Sequence, residues 1–145
     1  MMAESSVSFQ YALVDIRVEK FCIENIDGDA VSIESLPLNF QISFAFDSEN
    51  EKIKLILIAK VHASADGPVI CELAVEFDFS VLGLKSVEQE GERLQLPKPF
   101  LVNLTNIGYG TLRGIFHERV SNTRLRGLIL PILYPKDLFE AQDSK

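Results

Sequence analysis

Between Leu38 and Val81 the chain repeats one pattern three times, an alternating apolar run followed by a change of direction. In "LNFQISFAF", Leu38 to Phe46, the residues Phe40, Ile42, Phe44 and Phe46 share one face. "DSEN", Asp47 to Asn50, then supplies a turn. In the second run Ile53, Leu55, Leu57, Ala59 and Val61 point one way, and Lys54, Ile56, Ile58, Lys60 and His62 the other. After "ADGP", Ala65 to Pro68, the third run sets Cys71, Leu73, Val75, Phe77, Phe79 and Val81 against Glu72, Glu76, Asp78 and Ser80. A period of two places successive side chains on opposite faces of a strand, and turns this short join antiparallel neighbours. These letters therefore predict a three-stranded meander with one buried face.

A fourth strand precedes them. Ala12, Val14, Ile16 and Val18 alternate, but after Glu19 and Lys20 the apolar phase moves to Phe21 and Ile23, which predicts a bulge. Asp27 to Pro37, "DGDAVSIESLP", is longer than a hairpin needs and predicts a crossover. From about Pro99 to about Val120 the apolar period becomes helical, with proline tolerated in the first turn and Asn122 as a left-handed end. "LILPILYPKDL", Leu128 to Leu138, is interrupted by Pro131 and Pro135 and must run extended, and Asp137 to Gln142 adds a short final helix. The expected class is α+β: a four-stranded antiparallel sheet with a long crossover after strand 1, one long C-terminal helix and a short final helix. With 145 residues, 47% of them hydrophobic, this is one domain spanning 1–145.

The helix raises the question of chemistry. Gly108, Gly110 and Gly114 lie one residue off the dinucleotide fingerprint, which needs a strand before it and a parallel βαβ unit around it. Here the preceding "LVNLTN" is already helical in phase and the sheet is antiparallel, so no cofactor is expected. Gly110 and Gly114 instead fall on one helix face, where a second backbone can come close. Phe100, Leu101, Leu104, Ile107, Gly108, Leu112, Ile115, Phe116 and Val120 span roughly 200° of the helix, and one sheet needs only ~100°. That surplus predicts a homo-oligomer, with Gly110, Gly114, Leu104 and Ile107 at the interface.

His117 and Glu118 begin H-E-x-x-H, but Ser121 stands where the second ligand belongs, so no metal site is expected. Cys22 and Cys71 lack ligand spacing and fit free thiols in a reducing cytoplasm. No serine or cysteine sits in a nucleophile elbow, and an enzyme is not expected. The net charge of −7 disfavours nucleic acid and steers basic partners toward the part before Leu101, where 17 acidic residues face 8 basic ones. "MMAESSVS" has no apolar h-region, and no apolar run reaches the ~18 residues of a membrane span. A cytoplasmic protein without membrane insertion is the expectation.

What remains is apolar surface. "LILPILYP" and "SLPLNF" (Ser35 to Phe40) are more hydrophobic than loops need to be. Two readings stay open: they cover the sheet or an interface, or they wall a groove that takes peptides through apolar burial and backbone hydrogen bonds.

The order of parts resembles the SecB export chaperone family over roughly Ser8 to Phe139: a "SFQ" strand, a crossover, a meander ending in "CELAVEFDFSVLGL", a long helix, then "LILPILYPKDLF". The resemblance implies an ATP-independent holdase, a dimer of dimers, binding unfolded or nascent polypeptides in long hydrophobic grooves and passing clients to the SecA translocase. It places Leu36, Leu38, Phe40 and Ile42 on one groove wall. Ile129, Leu130, Ile132, Leu133 and Tyr134 form the other, with Leu138 and Phe139 on a covering helix. Glu72, Glu24 and Glu76 correspond to an acidic partner-docking face. The chain departs from the family in having no zinc ligand beyond Pro135, and in Lys20 where the docking face is acidic. A SecB-like chaperone dedicated to the antitoxin of a toxin–antitoxin system fits these departures. A non-catalytic binding module for a folded partner or an apolar small molecule is the alternative of another class.

Overall fold

The computed structural model describes residues 9–24, 36–86, 89–90, 93–94 and 96–133. Four long strands form its sheet: β1 (Gln10–Ile23), β2 (Leu38–Asp47), β3 (Lys52–His62) and β4 (Val69–Leu82). Their order is β1-β4-β3-β2, antiparallel throughout, so the chain leaves one edge at Ile23 and re-enters at the other edge at Leu38. A 3₁₀ turn (Leu84–Ser86) and the two-residue strands β5 (Gln89–Glu90) and β6 (Arg93–Leu94) lead to helix α1 (Lys98–Val120). The sequence gives no sign of the β5–β6 pair, because two residues per strand leave no periodicity to detect. The expected final helix lies outside the described residues, as does the crossover apart from Leu36 and Pro37.

The meander is as the alternation predicts. Ile53, Leu55, Leu57, Ala59 and Val61 of β3 and Cys71, Leu73, Val75, Phe77, Phe79 and Val81 of β4 are at most 2% exposed. Onto this face α1 lays Leu104, Gly108, Leu112, Phe116 and Val120. Gly108 fits tightly there: a Cβ would stand 2.8 Å from Leu55 Cδ2 and 3.1 Å from Leu57 Cδ1. Burial holds the Cys71 thiol up at about 11, so it stays protonated at neutral pH.

β1 departs from its expected phase. A bulge sits at Glu19, between Val18 and Lys20, where the phase change predicts one, but a second sits between Leu13 and Asp15. That extra residue makes Leu13, opposite Phe79, a core contact, and leaves Val14 54% exposed and Ala12 on the outer face opposite Ser80. The end of α1 also differs. Asn122 is not left-handed; the chain winds on through short-range bonds from Thr123 N to Val120 O and from Arg126 N to Thr123 O. Gly127 then takes the left-handed conformation, with φ of 94°, that releases the chain into an extended run.

At the opposite corner Glu51 holds a left-handed φ of 54°. Its carboxylate accepts from the backbone N–H groups of Gly83 at 2.8 Å and Lys85 at 3.3 Å, tying the β2–β3 turn to the exit of β4. Such bonds offset the strain of a non-glycine residue there.

Candidate functional site

The expected groove walls begin with backbone carbonyls that no ladder can satisfy. Pro131 has no N–H and breaks strand pairing, so the carbonyls around it need donors from elsewhere. Helix α1 supplies two, four residues apart and therefore on one face. Tyr109 donates its hydroxyl to Pro131 O at 2.6 Å, and Arg113 donates Nε to Leu130 O at 3.0 Å. Leu128 and Leu130 turn inward, 7% and 1% exposed, while Ile129 and Ile132 stand outward at 59% and 78%. Residues 128–133 thus form an extended ledge pinned along the helix, with two large aliphatic side chains facing solvent. Neither pinning residue was singled out from the sequence. The available signal was a tyrosine and an arginine at i and i+4 opposite a proline-broken apolar run.

The second wall stands on β2. Leu36 and Ile42 are 7% and 6% exposed, and Leu38 and Phe40 are half-buried. Phe40 meets the Tyr109 ring edge-on with centroids 5.6 Å apart, so Tyr109 touches both walls. Leu133 packs against the core; Tyr134, Leu138 and Phe139 lie outside the described residues. Of the expected residues, then, Leu36, Ile42 and Leu130 are mostly spent in the core, and the solvent-facing apolar surface is concentrated at Ile129 and Ile132.

Burial pushes the Tyr109 hydroxyl up to about 12, against a partial opposing pull from Arg113. A raised folded-state value means that the folded chain holds this proton more tightly. The resulting stability is fully present below pH ~10, the usual tyrosine value, and is lost as pH rises through about 12. Tyr109→Phe is expected to cost about 1–2 kcal/mol by stranding the Pro131 carbonyl, and to remove that alkaline loss. Urea titrations of both chains between pH 9 and 12 check this, and tyrosinate absorbance reports late ionisation directly.

The outer sheet face carries Glu72 and Glu76, expected on an acidic docking surface. Both are ion-paired: Glu72 with Lys20 at 3.4 Å, Glu76 with Lys54 at 3.4 Å and with Arg17. Arg17 also reaches Asp78 at 3.3 Å, so rows of cations on β1 and β3 flank the acidic row of β4. Glu24 lies apart, exposed past the end of β1, where it lines a cleft of about 500 Å³ with Ile23, Asn122, Thr123 and Arg124.

Among the residues expected at an interface, Leu104 is fully buried against the sheet and is not available to a partner. Ile107 is 37% exposed, and Gly110 and Gly114 are exposed with open space where a Cβ would stand. His62 donates from Nδ1 to Gly67 O at 3.2 Å, closing the β3–β4 turn, since a carbonyl can only accept. His117 is exposed. Among the described residues no helix is long and apolar enough to cross a membrane.

No family model matches the chain, and no curated protein matches its sequence. Solved structures do. The SecB-like chaperone of Mycobacterium tuberculosis, in complex with a ChAD peptide from the HigA1 antitoxin, aligns with a TM-score of 0.59 at 16% identity, covering 85% of this chain and 87% of that one. A protein of unknown function from Streptococcus agalactiae aligns with a TM-score of 0.51 at 12% identity, covering 87% and 100%. The chain therefore has a SecB-like fold.

Proposed function

We propose that the protein is a non-catalytic, ATP-independent chaperone that holds extended polypeptide against the ledge of residues 128–133. The carrying observation is the outward pair Ile129 and Ile132 on a backbone fixed by Tyr109 and Arg113. Apolar side chains held in place bind an unfolded segment with little ordering cost on the chaperone's side. The SecB-like fold, with its antitoxin-peptide complex in the mycobacterial protein, supports a polypeptide client.

Two kinds of client suit this reading: unfolded or nascent chains in general, including those bound for export, and a dedicated partner such as an antitoxin. The pairing of Glu72 and Glu76 with neighbouring cations leaves little free acidity for docking SecA, and favours the dedicated client. The test is suppression of aggregation of several unfolded clients without nucleotide, alongside binding of antitoxin C-terminal peptides. No effect in either assay ends the reading. Ile129→Ser with Ile132→Ser is expected to weaken client binding at least about tenfold, since each isoleucine contributes roughly 1 kcal/mol or more when covered. Its stability should move by no more than about 0.5 kcal/mol, both side chains being exposed.

The reading includes a cytoplasmic homo-oligomer joined through the outer face of α1. Gly110→Leu and Gly114→Leu should each dissociate it in light scattering. An intact assembly in both variants would refute that interface. Gly110→Ala, meeting open space, should stabilise the isolated chain by about 1 kcal/mol through helix propensity alone.

A further inference from the structure

The segments beside the ledge carry charge, and its sign is opposite to that of the whole chain. Between residues 101 and 133 stand Arg113, Arg119, Arg124 and Arg126 with one carboxylate, Glu118, in a protein of net charge −7. The arginines are used differently. Arg119 lies over the Phe21 ring, 5.9 Å from its centroid. Arg113 is half-buried and spends only Nε, on Leu130 O; its two Nη groups find no partner among the described residues. The Arg126 guanidinium, exposed, has no partner there either. It precedes Ile129 by three residues, a span of at most about 10 Å.

A guanidinium anchored through Nε presents its remaining donors in a fixed orientation, and a planar fork of this kind matches a carboxylate. Resting on the reading of residues 128–133 as a client wall, we propose that this wall selects extended segments in which a carboxylate side chain flanks the apolar residues. Arg113 and Arg126 receive that carboxylate while Ile129 and Ile132 take the apolar part. The global charge of −7 pulls the other way, toward basic segments. At about 0.1 M salt, charges beyond ~10 Å are largely screened, so the pairs formed in contact decide. Half-burial of Arg113 makes its pairing stronger than that of a fully exposed ion pair. A lysine-flanked segment would meet like charge at the same place.

Three end-blocked peptides with one shared apolar core, flanked by Glu, Gln or Lys, test this by fluorescence anisotropy on the full chain. The expected order of affinity is Glu, then Gln, then Lys, with about a tenfold span at ~0.1 M salt that shrinks at ~1 M. Arg113→Gln with Arg126→Gln should reduce the Glu-to-Lys span to about twofold. Because it also removes the Arg113 anchor on Leu130 O, it should weaken all three peptides together, so the ratio between peptides is the readout. Arg126→Gln alone should remove part of the span, and the wild-type comparison stands even where the double variant does not fold. Equal binding of the Glu and Lys peptides, or a preference for Lys, overturns the charge selection and leaves the chaperone reading intact. Failure of all three peptides to bind overturns both. Tighter binding of a single-stranded oligonucleotide than of the Glu peptide also overturns the selection.

Discussion

Gly108→Leu is expected to cost about 3 kcal/mol, the upper end of the 1–3 kcal/mol typical of overpacking a filled core, because the whole leucine side chain must be fitted among buried neighbours. The first added carbon already falls 2.8 Å from Leu55 Cδ2, 3.1 Å from Leu57 Cδ1 and 3.4 Å from Phe77 Cδ2. Those three residues are at most 2% exposed, so they have no solvent to move into. Relief requires forcing the Leu55 and Leu57 side-chain ends into other rotamers within a filled core, or lifting α1 from the sheet, which uncovers Leu104 and Leu112 as well. Gly108→Ala separates the terms. It gains about 1 kcal/mol of helix propensity and meets the same contact, so its net effect should be small. Chemical denaturation of both variants checks the pair. A leucine variant as stable as the parent would mean that the helix does not cross the sheet at Gly108.

Phe77→Ala is the complementary experiment, removing volume at the same crossing. Phe77 is fully buried on a central strand, between Leu55 of β3 and Ile16 of β1 in register. Phe→Ala in a core costs about 3–5 kcal/mol, the lost transfer energy plus the cavity left behind. Against a typical total of roughly 5–15 kcal/mol, that is a large fraction. The midpoint of thermal unfolding should fall by roughly 15 °C. A fall under about 4 °C would show that the neighbours collapse into the space, which the strand ladders on both sides of β4 oppose. Phe46→Ala, at a residue 39% exposed on the edge strand β2, provides the smaller comparison.

Legibility followed how much of each element's burial a short window of sequence records. The meander was readable because the inner faces of β3 and β4 are buried along almost their whole length, and their letters alternate accordingly. β1 was misphased at Val14. A bulge inserts one residue into the count, and two bulges within ten residues leave no window long enough to recover the phase. The helix span was legible, but the glycine that packs tightly on the sheet's side chains was not. Gly108, Gly110 and Gly114 differ by which neighbour each one faces, and periodicity reports the angle of a residue without its neighbour. In the candidate site, the apolar run and its prolines were visible as extended chain. Its attachment was not, since Tyr109 and Arg113 act on it across 22 and 17 residues of sequence. Pairing across the outer face was hidden likewise, because Arg17 and Glu76 stand 59 residues apart.

The strand order has a consequence in time. Within the four-stranded sheet β1 is the first strand to be synthesised and its partner β4 the last, with Ile23 opposite Cys71 and Gln10 opposite Leu82. At about 5–20 residues per second, β1 waits roughly 3–12 s after its own completion before all of β4 has been made. During that interval its apolar residues have no ladder to join, whereas β2 and β3 can pair at once across their short turn. The sheet thus begins as a paired hairpin and a waiting edge strand, and closes only when β4 arrives between them.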